Sequence, residues 1–232
     1  MKKGDFEKRI IVGITASPKN GKGWKRQIRD IYKYGITRAA LFLEYISKAD
    51  RVVLYKLLLH SPIKEIPLVH IRSDISKDEI EFFIKNFKSK YFTIHESDFK
   101  VLKKWKGVQK KLYLEMNFDD AVSKSVKVER IGGFCVDLAH FKASSKERTK
   151  EYYHTLKYKN KKKYFKCNHL NGYSRHQNRD LHTIWRRASF KYLKTLPEFV
   201  FGNVIAIEVE NSIKQQIRFK KHLVKMLNSR FN

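Results

Sequence analysis

Eight short apolar runs, separated by stretches with helical periodicity, constrain this chain more than any other feature. The runs are RIIVGITAS (9–17), RAALFLEYI (38–46), IPLVHIRSD (66–74), YFTIHESD (91–98), KLYLEMN (111–117), GGFCVDLAH (132–140), KYFKCNHLN (163–171) and VIAIEVEN (204–211). Each is rich in Val, Ile, Phe or Tyr and has the length of a strand. Between them lie GWKRQIRDIYKYG, SKADRVVLYKLLLHS, SKDEIEFFIKNFKS, SDFKVLKKWKG, SSKERTKEYYHTLK and TIWRRASFKYLKTL. Several of these open on a Ser, Thr or Asp cap and space their apolar residues near 3.6. Segment 118–131 has the weakest helical pattern. Strand–helix alternation through eight strands predicts an α/β fold, a (β/α)8 TIM barrel spanning 1–232 as a single domain. The spacing is tight, so compact, short loops are expected. A doubly wound open sheet is the alternative.

Composition adds a partner class. Lys and Arg number 51 against 23 Asp and Glu, a formal net charge of +28. Such an excess points toward a polyanion such as nucleic acid, although the dominance of Lys over Arg is also what a compositional bias would produce. The two cysteines, Cys135 and Cys167, sit inside apolar runs with no CxxC spacing, so they read as reduced, buried thiols of a cytoplasmic protein. The start, MKKGDFEKRIIVGITAS, imitates a signal peptide, but acidic residues interrupt its charged head and its apolar run is short and β-branched. It reads as a first strand. No run is long enough to span a membrane.

In a barrel of this kind, function gathers at the C-terminal ends of the strands. From the third run onward each end carries a His or a carboxylate: His70, His95, Glu115, Asp137 with His140, His169, and Glu208. The polar stretch after the seventh run adds Asp180 and His182. Any one of these alone is more often a hydrogen-bonded structural residue. Together they form a nitrogen and oxygen donor set without sulfur, which suits Zn²⁺, with Mn²⁺ or Fe²⁺ as alternatives. The set is too large for one tetrahedral ion and suits two or three, at roughly three to five ligands each. No organic cofactor is expected. His60, His154 and His222 fall in helical stretches and read as surface residues; His176 reads as a solvated loop residue.

The ordered stretches VHIRS, TIHES, LYLEMN, CVDLAH, NHLN, RDLH and IAIEVEN, between residues 66 and 211, resemble endonuclease IV, the AP endonuclease family 2 group of xylose isomerase-like barrels. The resemblance implies three groups of ligands. His70, His95 and Glu115 would hold one ion. Glu115, Asp137, His169 and Glu208 would hold a second, with Glu115 shared and Glu115 and Glu208 as the catalytic carboxylates. His140, Asp180 and His182 would hold a third. The implied activity is hydrolysis of DNA 5′ to abasic sites, by a monomer working in base excision repair. A duplex cannot enter a barrel, so the scissile nucleotide would be flipped in, which is easiest where a base is missing. The chain departs from the family pattern at Arg72, where an aromatic residue is usual, and at Asn171-Gly172, where an Asn-Asp pair is usual. A divalent-metal sugar isomerase or epimerase on the same barrel is the alternative, since Glu115, Asp137, His169 and Glu208 alone would serve it.

Basic residues sort by face. KYKNKKK (157–163) precedes the seventh strand and belongs at the barrel bottom. On the site face lie Lys19, Lys22, Lys25, Arg26, Arg72, Lys142, Lys146, Arg175, Arg179, Arg186 and Arg187. Of these, Arg72, Lys142, Arg175 and Arg179 are the expected DNA contacts. Tyr173 is a further expected contact by stacking; Trp185 is a second stacking candidate, set against the ordinary reading of a core tryptophan.

Overall fold

The computed structural model describes residues 5–17, 21 and 23–231. Eight parallel strands close into a barrel: β1 (Ile10–Ile14), β2 (Ala39–Phe42), β3 (Leu68–His70), β4 (Tyr91–His95), β5 (Leu112–Glu115), β6 (Gly133–Asp137), β7 (Phe165–Leu170) and β10 (Val204–Ile207), with β10 pairing back to β1. Every apolar run contains one of these strands. Between β7 and β10 an antiparallel hairpin intervenes, β8 (Gly172–Ser174) and β9 (Arg179–Leu181). The helices are α1 (Phe6–Arg9), α2 (Trp24–Tyr34), α3 (Lys48–Leu59), α4 (Lys77–Phe87), α5 (Leu138–Glu147), α6 (Lys150–Leu156) and α7 (Ile213–Phe231). The (β/α)8 barrel is thus the fold. Among the described residues no helix is long and apolar enough to cross a membrane.

Local chemistry sets the helix ends. Ser76 and Glu79 form a reciprocal capping box that starts α4, and Ser47 accepts the Asp50 N–H to start α3. Asp137 ends β6 and also caps α5, accepting the N–H groups of Ala139 and His140 at 2.8 Å each. That cap starts the helix earlier than the periodicity of 144–157 suggests, and Arg148 in the left-handed region (φ 56°) splits the stretch into α5 and α6. Two other expected helices, 97–107 and 183–196, form the tighter 3₁₀ segments Glu96–Trp105 and Arg187–Thr195.

Segment 118–131 is irregular apart from one turn at Val128–Arg130. Its backbone bonds go elsewhere: buried Glu96 accepts the Asn117 and Ser123 N–H groups, and buried Glu151 accepts that of Asp119. The expectation of uniformly short loops also fails between β7 and β10, where residues 171–203 hold the hairpin and the second 3₁₀ segment.

The barrel interior is filled rather than open. Ile11, Ala40, Phe42, Leu68, Tyr113, Cys135, Cys167, Val204 and Ala206 pack inside it, while a larger layer that includes Trp24, Phe83, Trp105 and Phe190 packs between the strands and their coverings. Both faces of these parallel strands are therefore apolar, which is why the runs read as continuous. Cys135 and Cys167 are free, buried and in register with each other, as expected of reduced thiols. At Gly13 a Cβ would lie 2.2 Å from the Ile207 carbonyl oxygen, so only glycine fits there against the neighbouring strand end.

Arg51 on α3 is the largest charge in the outer layer. It is fully buried, donates through Nε to Glu79 and through Nη1 to Asp74 at 3.1 Å each, and so ties α3 to the start of α4. Removing one partner of a buried pair costs about 3–5 kcal/mol because the other charge is stranded. The Asp74 side chain, 43% exposed, can rehydrate. Arg51→Met should therefore destabilise the fold by roughly 3 kcal/mol in urea unfolding; a change within 0.5 kcal/mol would show the cluster to be incidental.

Candidate metal centre

Alternation along a strand places every second side chain inside the barrel. The phase that points Leu68, Tyr91, Tyr113, Cys135, Cys167 and Ala206 inward also points His70, Thr93, Glu115, Asp137, His169 and Glu208 inward, two residues nearer the C-terminal mouth. Strand register aligns them: His95 lies opposite Glu115, Asp137 opposite His169, and His169 opposite Ala206. Phe42 forms an apolar floor, its ring 5.0 Å from that of His169 and 6.2 Å from that of His70.

The central group is Glu115, Asp137, His169 and Glu208, all buried, with one donor atom from each lying within 4.8 Å of the others. His169 Nδ1 lies 2.9 Å from Glu115 Oε2 and 3.4 Å from Glu208 Oε2. Asn171, also buried, donates to Asp137 Oδ2 at 2.7 Å, so both oxygens of that carboxylate are oriented before any ligand arrives.

A second group meets the same distance limit: His70, His95 and Glu44. Glu44 is the residue that reading the sequence missed. Its Oε1 lies 2.8 Å from His95 Nε2 and its Oε2 3.6 Å from His70 Nδ1. Glu115 Oε2, the carboxylate expected beside these histidines, stands 3.7 Å from His70 Nδ1. The signal for Glu44 was its phase, two residues beyond Phe42 and four beyond Ala40 in the second run.

The third expected group gathers at Asp180 but does not bring one donor atom from each of its three residues within the 4.8 Å that the first two groups meet. His182 Nε2 lies 2.6 Å from Asp180 Oδ2, and His140 Nε2 lies 3.8 Å from Asp180 Oδ1. His140 sits in the first turn of α5, and its Nδ1 is 3.8 Å from Glu115 Oε1, so it stands between this group and the central one.

These donors fit a cation by what they lack. Both ring nitrogens of His70, Nδ1 of His95, His140 and His169, and Oε2 of Glu115 are buried without a hydrogen-bond partner. The close approach of His169 to Glu115 lacks the alignment of a hydrogen bond. Orphaned donor atoms that converge in this way are expensive unless something positive sits among them.

The electrostatics agree. Burial, reinforced by Glu115, pushes the Glu208 carboxyl up to about 8. Burial lowers His70 to about 4, against the pull of Glu44 and Glu115. Burial opposes charge on His95 and His182 too, but the hydrogen bonds their rings donate to Glu44 and Asp180 override it and raise both to about 9. The buried groups could hold a divalent metal.

The expected DNA contacts divide. Arg175 and Arg179 are exposed on the hairpin, beside Asp180. Lys142 is half-buried on α5. Arg72 is engaged within the protein, donating to the Glu44 carbonyl oxygen and to Asp74, where it steadies the backbone that carries Glu44. Tyr173 is a correction: its ring is buried against Tyr192 and its hydroxyl donates to Asn178, so it offers no face for stacking. Trp185 is the reverse, 88% exposed rather than a core residue. Lys161, Lys162 and Lys163 are exposed just before β7, at the opposite end of the barrel. Lys19 and Lys22 lie outside the described residues. Of the other histidines His60 and His176 are exposed, while His154 and His222 are half-buried.

No protein-family model matches the chain, and no curated protein matches it. Among solved structures it is similar to one described as the crystal structure of a D-tagatose 3-epimerase-like protein, with a TM-score of 0.50 and 15% identity over 94% of this chain and 98% of that one. At that identity the likeness is one of fold.

A ligand that binds only the folded chain stabilises it by about 2.7 kcal/mol at a hundredfold excess over Kd. A divalent ion, Zn²⁺ or Mn²⁺, should therefore raise the unfolding temperature by roughly 5–10 °C over protein kept in chelator. Glu208→Ala should lose much of that rise. A calorimetric scan insensitive to both ions would remove the case for a metal centre.

Proposed function

We propose that the chain is a divalent-metal-dependent enzyme working at the C-terminal mouth of the barrel, and that its reaction is phosphodiester hydrolysis of the endonuclease IV type, 5′ to abasic sites in DNA. The observation that carries this reading is the pair of flanking donor groups. Glu44, His70 and His95 on one side, and His140, Asp180 and His182 on the other, stand beside a central group that would by itself suffice for a sugar isomerase. The net charge of +28 and the exposed Arg175 and Arg179 suit a phosphate backbone.

The assignment names Glu115, Asp137, His169 and Glu208 as holders of the central ion. His70 and His95, with Glu44 or Glu115, hold a second, and His140, Asp180 and His182 a third. When bound, zinc or a similar divalent ion lowers the pKa of water and neutralises charge on a phosphoryl group. The chain's own part is positional. Asn171 and the α5 N-terminus orient Asp137. Glu44 fixes the ring of His95, and Arg72 fixes the backbone of Glu44. Phe42 excludes water from beneath the donors.

A second reading has its own support. The D-tagatose 3-epimerase-like fold neighbour favours a sugar isomerase or epimerase over the nuclease, and the central four residues alone would serve that reaction.

Ion content and turnover separate the two. The purified protein should carry two or three ions per chain and cut an abasic duplex; one ion, with activity on a ketose and none on DNA, would establish the isomerase instead. Glu115→Gln should abolish cleavage, because a neutral amide is a poor ligand for cations. Replacing both Asp180 and His182 with Ala should cost about one ion and roughly a hundredfold or more in cleavage, since charge stabilisation of this kind is worth a few kcal/mol. Unchanged ion content and turnover in that double variant would defeat the three-group assignment.

A further inference from the structure

Two of the three tryptophans, Trp24 and Trp105, are buried, while Trp185 is 88% exposed. An indole held in water forgoes a large area of burial. This one is nonetheless fixed at its base. The preceding Ile184 is buried, and Asn211 clamps its backbone from both sides: Ile184 N–H donates to Asn211 Oδ1 at 2.8 Å, and Asn211 Nδ2 donates to the Ile184 carbonyl at 3.0 Å. Glu210 N–H donates to the His182 carbonyl at 2.7 Å. The strip 182–184 is thus laced to the segment just beyond Glu208. Trp185 follows His182 by three positions, so their Cα atoms are within roughly 11 Å of each other.

Trp185 also lines a cleft of about 460 Å³ with Leu181, Thr183, Arg186 and Ser189, none of them acidic. Arg186, its chain neighbour, thus lines the same cleft, and Arg179 and Arg187 are exposed nearby in the sequence. A protein-binding tryptophan is ordinarily ringed by apolar core contacts. Here Leu181 is the one apolar side chain beside it in the cleft, and Thr183, Arg186 and Ser189 make up the rest. An aromatic face beside an arginine is the arrangement that holds single-stranded nucleic acid, with bases stacking and phosphates paired to the cation.

We propose that Trp185 is a stacking platform for an unpaired nucleobase of a strand lying across the barrel mouth, with Arg186 against its phosphates. The inference rests on the phosphodiesterase reading for the strand's presence there, but its test needs no turnover.

The full chain, with its metals, is titrated with phosphorothioate-linked decamers, which keep the backbone charge and resist hydrolysis. One is oligothymidylate, one is oligouridylate, and one is a propanediol strand that carries the same charge with neither base nor deoxyribose. The parent should bind a base-bearing strand roughly tenfold or more tightly than the baseless one, with quenching of the exposed tryptophan's emission. The preference between thymidylate and uridylate shows whether DNA or RNA is the source. Trp185→Ala should bind base-bearing and baseless strands alike, and Trp185→Phe should keep most of the preference. A parent that does not discriminate, or a Trp185→Ala variant that still does, overturns the proposal. So does concentration-dependent self-association that Trp185→Ala abolishes in sedimentation, since the face would then serve a second copy. Stacking intact with no cleavage of an abasic duplex would sink the phosphodiesterase reading alone. Cleavage with no effect of Trp185 on binding would sink the platform alone.

Discussion

A carboxylate taken from water into a protein interior costs several kcal/mol unless a counter-charge or hydrogen bond meets it. Glu115, Asp137 and Glu208 are all buried at the same end of one barrel. Each meets the cost differently. Asp137 spends one oxygen on the N-terminus of α5 and the other on Asn171, so its burial is also what begins a helix and fixes the end of β7. Glu115 leans on His169. Glu208 has the least, and burial drives its carboxyl toward the protonated form. The barrel must therefore carry either protons on its imidazoles or cations among its donors, and the orphaned ring nitrogens argue for the second.

Much of this was legible in the sequence. Strands covered on both faces leave unbroken β-branched runs, so all eight barrel strands stood out. Donors that end such runs in the inward phase were equally visible. Glu44 was hidden although it lies inside the second run: it stands two residues past the end of β2 with Tyr45 and Ile46 after it, so nothing marked it as the end of a strand. The loop after β5 was hidden for another reason: the carboxylates that hold it, Glu96 and Glu151, lie 21 to 32 residues away in sequence. Tyr173 and Trp185 exchanged roles because neither hairpin pairing nor the clamp on Ile184 has a local signature.

The charge of the chain and the charge of its site pull in opposite directions. A surplus of +28 spreads over both ends of the barrel, with Lys161, Lys162 and Lys163 far from the mouth, while the mouth itself is lined with carboxylates. The overall field draws a polyanion to the protein without choosing a place on it. The choice must be made by short-range contacts at the mouth.

Among the described residues, Phe42 and the packed layer beneath it close the donor cluster off from the barrel bottom, so the mouth is its doorway. Anything that reaches the cluster must leave by the route it took in. Occupancy is therefore sequential: whatever sits deepest has to arrive first, and a spent molecule has to back out before its successor can advance. A tunnel open at both ends could pass material through in a stream. This blind well can only work in strokes.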